Sequence, residues 1–420
     1  MRGMCGKGNG AEPIDTMSRI ARWLFAAMAM SLLGLLLGIG GMAAFDAAFA
    51  LIKLVWIDGW QAAPTPVYPV IVCAAVGAIL SVVVALHGKP ERPMEAMGEA
   101  VERVDGLNVL APAGNKGSAQ KKRPLPVKLV DFFAPLAGGG PVGVAMGIIG
   151  LVTSGCSWAK RSLVRLCVRL GLLGQDADFS KRQKSVIYTV GVIGGIVGVG
   201  AVADAFGVGM MIPRVEAADF SLHAALLAIA LSIGGWALGL LYIALTKVAR
   251  SLWAKAGRFQ KLLPLACGIV LGLSMVFLPH AGLPGSDAYS YQLLGDWESL
   301  APMVLLLTAL VRTALIALCL NLGWSGGPFL PLVYSALCLG FGIAGFTGLG
   351  AGTCVAAAVS GILVAFTGQP LMGVAAFMCC PLESLPVIAI STVVTSVLPR
   401  PSALKGDFAR TRKGQSGKHQ

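Results

Sequence analysis

The sequence predicts an all-α integral membrane protein built from short, broken and tilted transmembrane helices. Three observations predict it. Of 420 residues, 56% are hydrophobic and 13% charged, whereas a soluble domain needs roughly 25% charged residues to face water. The apolar residues gather into segments near membrane-spanning length, separated by short basic intervals. Many of the 55 glycines and 23 prolines fall inside those segments; small residues let helices approach closely, and breaks are tolerated where backbone lines a cavity. No soluble enzyme is compatible with this composition.

The first 19 residues are polar and read as a cytoplasmic N-terminal segment. An apolar run from Ile20 to about Ile57 follows, with Arg22 and Lys53 near its ends. It exceeds the roughly 7–15 residues of a signal-peptide core and reads as a first, tilted membrane helix. A second segment covers Val67 to about Leu86. The interval 88–128 is the longest polar stretch and carries eight basic residues, Lys89 through Lys128, which assigns it to the cytoplasm. Pro93–Val104 within it fits a short amphipathic helix, and Ala111–Ala119 a flexible loop.

Leu129–Trp158 is apolar but interrupted by Pro135, Gly138, Gly139, Gly140, Pro141 and Gly143, so two half-helices meeting inside the membrane are expected. After a basic interval (160–184), segments follow near Val186–Phe206 and His223–Leu245. A basic loop, 247–261, precedes Leu262–Leu278, Leu300–Leu322, Phe329–Phe346, Thr353–Phe366, Leu371–Met378 and Pro386–Leu398. Several are shorter than the ~20 residues a helix needs to cross the hydrocarbon; such interrupted segments point to a transport site at mid-membrane. The transmembrane domain thus occupies 20–398, and 399–420 is a basic cytoplasmic tail.

The formal net charge of +13 does not indicate a nucleic-acid partner. The basic residues sit in blocks beside apolar segments, as loops at an anionic membrane face do, without interleaved aromatics for base stacking. The ten cysteines show no metal-binding spacing and read as small buried hydrophobes, Cys379-Cys380 being a weak redox candidate at best. No P-loop, Ser/His/Asp set or paired carboxylate emerges, so neither a catalytic site nor a cofactor or metal is expected. GxxxG spacings such as Gly191–Gly195 and Gly235–Gly239 read as helix packing, and His223 and His280 as structural.

The most informative stretch is Arg312 to Pro331, RTALIALCLNLGWSGGPFLP. A Ser-Gly-Gly turn precedes Pro-Phe-Leu-Pro between two apolar segments. A helix starting near Phe329 aims its unpaired amides and positive dipole end at the break, which suits a dehydrated anion without trapping it. Ser325 and the backbone of Gly326, Gly327, Phe329 and Leu330 are the candidate anion-binding groups. Arg312, a charge within an apolar run, either faces the pathway or bonds carbonyls.

These residues resemble the CLC family of chloride channels and proton-coupled chloride antiporters. The family's GGxFxP motif is matched by Gly326, Gly327, Phe329 and Pro331, with Arg312 upstream and Gln369-Pro370-Leu371-Met372-Gly373 downstream in place of a later A-P-L-T-G turn. The resemblance is good over 300–398, collinear over 24–158 through Leu125-Pro126-Val127-Lys128 and the glycine triplet, and poor over 175–220. It implies an inverted-repeat bundle, a homodimer with one anion pathway per subunit, cytoplasmic termini and a place in the cell membrane.

The departures bear on mechanism. The family's gating glutamate, in G-x-E-G-P, falls by collinearity near Val144–Ile148, yet no carboxylate occurs from 134 to 159. Aligning Phe133–Gly138 with the family's F-N-A-P-L-A-G does not supply it either. The anion-binding serine of the G-S-G-I-P turn is missing at Lys89-Pro90-Glu91-Arg92, no tyrosine follows Tyr334, and Pro328 lacks the N–H often donated there. Met146 lies in the ungated substitute for the glutamate. The resemblance therefore implies passive, uncoupled chloride or other small-anion transport. A coupled secondary transporter of another small ion and a degenerate, non-conducting member remain the alternatives.

Overall fold

Helix α1 runs from Pro13 to Lys53 and passes into a π-helical turn, Leu54–Asp58, and a last helical turn, Gly59–Ala62. The computed structural model describes residues 13–90, 123–144, 190, 193–194, 197–198, 214–218, 222–285 and 295–399. The helices that follow are α2 (Tyr68–His87), α3 (Leu125–Ala137), α4 (Leu222–Lys255), α5 (Leu263–Phe277), α6 (Pro302–Asn321), α7 (Phe329–Thr347), α8 (Ala351–Thr367) and α9 (Leu385–Val397). The segment before α9 is a 3-10 helix, Pro370–Met378. Among the described residues there is no β-strand, and six helices are long and apolar enough to cross a membrane. Large apolar side chains stand outward on them, Ile71 (61% exposed), Leu86 (72%) and Leu226 (60%) among them, an arrangement stable against lipid and costly against water.

Prolines and glycines set most boundaries. Proline occupies the first turn of α2, α3, α5, α6 and α9, where its missing N–H costs no helical bond. Left-handed Gly348 and Gly368 close α7 and α8. Two sequence boundaries are corrected. The helix begins at Pro13, inside the segment read as a polar tail. The basic stretch 247–261 is no loop either: α4 continues to Lys255 and a 3-10 turn, Gly257–Leu262, leads into α5, because long cationic side chains at a helix end carry their charge out to the interface. The amphipathic helix expected at 93–104, most of the 186–206 segment, Gly191–Gly195 and the tail beyond Pro399 lie outside the described residues.

Two compact units divide the chain: Met1–Asp46, Met97–Gln120 and Gly150–Gly209 form the first, and Ala47–Ala96, Lys121–Ile149 and Met210–Gln420 the second. In the first, Gly194 and Gly198 lie against the backbone of Ser31 and Leu35. The core of the second is gathered around α4, α6, α7 and α8. Helix α8 reads AGTCVAAAVSGILVAFT and is apolar on every side, and it is buried on nearly all of them. Small residues allow this: the backbone of Ala358 lies against Gly235, Ala365 against Gly239, and Ser232 against Gly361. Several buried hydroxyls are satisfied within their own helices, as in Thr313 to Ala309 O (2.7 Å) and Ser360 to Ala356 O (2.7 Å).

Candidate functional site

The break after α3 and the break between α6 and α7 meet. Helix α3 ends at Ala137, and Gly138, Gly139 and Gly140 turn the chain away. Gly139 N–H donates to Leu136 O (3.1 Å) and Gly140 N–H to Pro135 O (2.8 Å). Gly139 holds a φ of +68°, where its missing side chain also leaves room for the Trp56 indole. On the other face Trp324, fully buried, lies against Gly138 and Gly140; a Cβ at Gly140 would stand 2.8 Å from the Trp324 ring. The two indoles are anchored by their N–H groups, Trp56 to Ala137 O and Trp324 to Pro264 O, both at 3.0 Å. The glycine triplet is thus a clamp site for two tryptophans as well as a helix break.

The chain then passes Val142 and pairs with the second break. Gly143 N–H donates to Gly327 O (2.7 Å) and Gly327 N–H to Gly143 O (3.2 Å), an isolated antiparallel bridge. Gly326 has a φ of +151°, and a Cβ there would lie 2.5 Å from Val142 Cβ. Beyond the bridge α7 starts at Phe329. Pro331 has no N–H and Leu332 donates to Pro328 O (2.9 Å), which leaves the Phe329 and Leu330 amides ahead of the helical ladder. A small cavity, with about 10 Å³ of room for a water-sized body, lies at this junction, lined by Asp131, Phe132, Leu136, Val142, Gly143, Val144, Ser325 and Gly326.

Of the sequence-predicted groups, Ser325 and Gly326 line the cavity, and the Phe329 and Leu330 amides stand a few residues along. The Gly327 N–H is taken by Gly143 and is not free to bind an anion. Met146 lies outside the described residues. Glu216 is exposed on the segment that Val215 N–H ties to Cys379 O (2.9 Å), and Glu383 lies in a short 3-10 turn, Leu382–Ser384, before α9.

Arg312 is fully buried and organises the protein interior. Its guanidinium donates to the carbonyls of His280 (3.0 Å), Gly282, Leu283 (2.6 Å) and Pro331 (3.4 Å) and lies 4.3 Å over the Tyr334 ring. A planar fork of five donors suits such a converging set of carbonyls. The residue fastens the 280–283 turn to the start of α7, and Leu283 N–H in turn reaches Gly139 O (2.7 Å). His280 is buried beside it, and burial together with the Arg312 charge pulls its imidazole down to about 4.

Sequence reading missed one pair at the cavity. Asp131 and Arg123 are both buried and form an ion pair, with Arg123 also donating to Gly88 O. The available signal was a lone acidic residue in the apolar run after Leu125, with an arginine just upstream. Among the described residues no group of His, Cys, Asp or Glu is arranged to hold a metal.

Together the fold and this junction define a polytopic α-helical membrane protein whose two interrupted segments meet through backbone at a small cavity. The model of the voltage gated chloride channel family matches residues 173–400, and the chain belongs to that family. The match takes in 175–220, where the sequence alone resembled the family poorly, and does not include 24–158. No curated protein matches the sequence significantly. Among solved structures, the chain is similar to a slow cyanobacterial Cl−/H+ antiporter (TM-score 0.63, 16% identity, 95% of this chain and 99% of that one). It is also similar to a eukaryotic CLC transporter (0.58, 16%, 95% and 75%) and to a CLC-type fluoride/proton antiporter (0.60, 14%, 88% and 95%). The fold is therefore the all-α CLC fold.

Proposed function

We propose that this protein carries chloride or another small anion across the cell membrane, passively and without proton coupling, through the junction of Gly143 and Gly327. The observation that carries the reading is the meeting of the two breaks at a cavity bordered by Ser325 and Gly326, with the α7 amides of Phe329 and Leu330 close by. Backbone N–H groups at a helix start stabilise an anion without a full positive charge, and so let it leave again. The absence of any carboxylate from 134 to 159, where the family's gating glutamate would fall, supports the uncoupled reading. Family membership supports a homodimer with one pathway in each subunit.

Two of the similar solved structures are antiporters of an anion and a proton, which makes coupled exchange the second reading. Chloride efflux from liposomes holding the purified protein separates the two. Efflux that needs only a potassium ionophore, moves no protons and changes in Phe329→Ala or Ser325→Ala is the expected result. Proton movement with the chloride would establish exchange instead. No efflux of chloride, fluoride, nitrate or bromide from folded protein would overturn both.

A further inference from the structure

Among the described residues that line the cavity beside the Gly143–Gly327 pair, one is charged, and its sign is wrong for an anion site. Asp131 lies in the middle of α3, 7% exposed, and lines the cavity that Ser325 and Gly326 border. A buried carboxylate repels an incoming anion and is itself costly unless a cation holds it. Arg123, also 7% exposed, holds it: Nη1 donates to Asp131 Oδ2 and Nη2 to Gly88 O at the end of α2. The Arg123 Nε is buried with no partner among the described residues, and so is His87 Nδ1. His87 and Lys128 also face Asp131, and Lys128 stands one turn before it on the same helix. The surroundings continue in the same sign. Lys89 donates to Asn321 O (2.7 Å) and Arg250 to Asn321 Oδ1 (3.2 Å), just ahead of the 322–328 turn.

We propose that the Arg123–Asp131 pair sets the anion affinity of this cavity: the Asp131 carboxylate occupies the Arg123 guanidinium as an internal anion, and a small inorganic anion binds by taking its place. The proposal rests on the reading of this junction as an anion pathway and adds the group that controls it. One feature makes the exchange feasible. The guanidinium has an unspent donor in Nε, so an entering anion gains a contact before the carboxylate leaves. The resident carboxylate also keeps Arg123 from binding the anion so tightly that it never leaves.

The test is chloride and bromide binding to the detergent-purified full chain by calorimetry, beside chloride efflux from liposomes, for wild type, Asp131→Asn, Arg123→Gln and the double variant. Removing the internal competitor is expected to tighten halide binding about tenfold, the scale of one charge-assisted contact. Arg123→Gln is expected to weaken it by a similar factor, and the double variant to match Arg123→Gln, because the competitor then has nothing to occupy. If Arg123→Gln does not fold, Arg123→Lys, which keeps the charge and loses the fork, takes its place with a smaller loss. Asp131→Asn that binds halide no better than wild type overturns the proposal, as does a change in thermal stability with no change in halide affinity. Absence of halide binding in every folded variant overturns it too. Tighter binding in Asp131→Asn without efflux from any protein would sustain this inference and defeat the conduction reading; normal efflux with unchanged binding would do the reverse.

Discussion

Gly143 and Gly327 exchange both of their backbone hydrogen bonds, at 2.7 and 3.2 Å, and so join two breaks in the helical ladder of this protein. A break in a membrane helix leaves amides and carbonyls that lipid cannot satisfy. Here one N–H and one carbonyl of each break are satisfied by the other. The pairing also explains the glycine at 143. A Cβ at Gly143 would stand 2.9 Å from Gly327 O.

Gly326→Ala tests how tightly that junction is held. The residue has a φ of +151° and faces Val142, so alanine brings both backbone strain and overlap. Destabilisation of about 1–3 kcal/mol is expected, seen as a lower unfolding temperature in detergent. Adding Val142→Ala relieves the overlap but not the strain and should recover only part. Ser325→Ala, which meets neither problem, should leave stability within about 0.5 kcal/mol of wild type.

Replacing Arg312 should unfold the protein rather than alter which anion it carries. The guanidinium serves four carbonyls from two segments, and each carbonyl left bare in the interior costs about 1–3 kcal/mol. Arg312→Gln is expected to yield little monodisperse protein on size-exclusion chromatography. Arg312→Lys, able to reach fewer carbonyls, should fold with a clearly lower unfolding temperature and the anion preference of wild type. A stable Arg312→Gln with changed selectivity would return this residue to the pathway.

Much of the frame was legible in the sequence because it is local. The bounds of α6 and α7, the turn between them and the break at the glycine triplet follow from hydropathy, proline and glycine alone. The non-local parts were not. Nothing in Gly143 or Gly327 announces that they pair, and the Arg312 pattern fits a pathway cation as well as it fits an interior clasp; only the position of the 280–283 turn decides. Asp131 and Arg123 escaped notice because Pro124 and Pro126 separate them, so no helical spacing links them on paper. The reading of Lys247–Lys255 as a loop failed for the opposite reason: charge was taken as the end of a helix, although its long side chains permit the helix to continue.

The cysteines give a test of the packing. Cys73, Cys267, Cys319, Cys338, Cys354, Cys379 and Cys380 are all free and buried. A maleimide added to the native protein should leave all seven unmodified, as peptide mass mapping would show, and should label them after denaturation in SDS. Rapid native labelling of Cys379 or Cys380 would show that the segment between α8 and α9 opens to water, and would revive the redox role that their adjacency suggested.

His280 should make stability fall in mild acid. Its imidazole is held at about 4 in the folded protein, against roughly 6.5 in an unfolded chain. Between those values the unfolded chain takes up a proton that the folded one refuses, so stability is complete above about pH 6.5 and is lost as pH falls toward 4. The loss amounts to up to about 3 kcal/mol. The cause is structural: the ring is buried beside the Arg312 charge, and a second positive charge there has neither water nor a carboxylate to offset it. The unfolding temperature of wild type should therefore drop more between pH 7.5 and 4.5 than that of His280→Gln, which keeps the backbone carbonyl bonded to Arg312 and removes the titrating ring. Equal drops in the two proteins would mean that the ring is reached by water, and that the clasp between the 280–283 turn and α7 is looser than its hydrogen bonds imply.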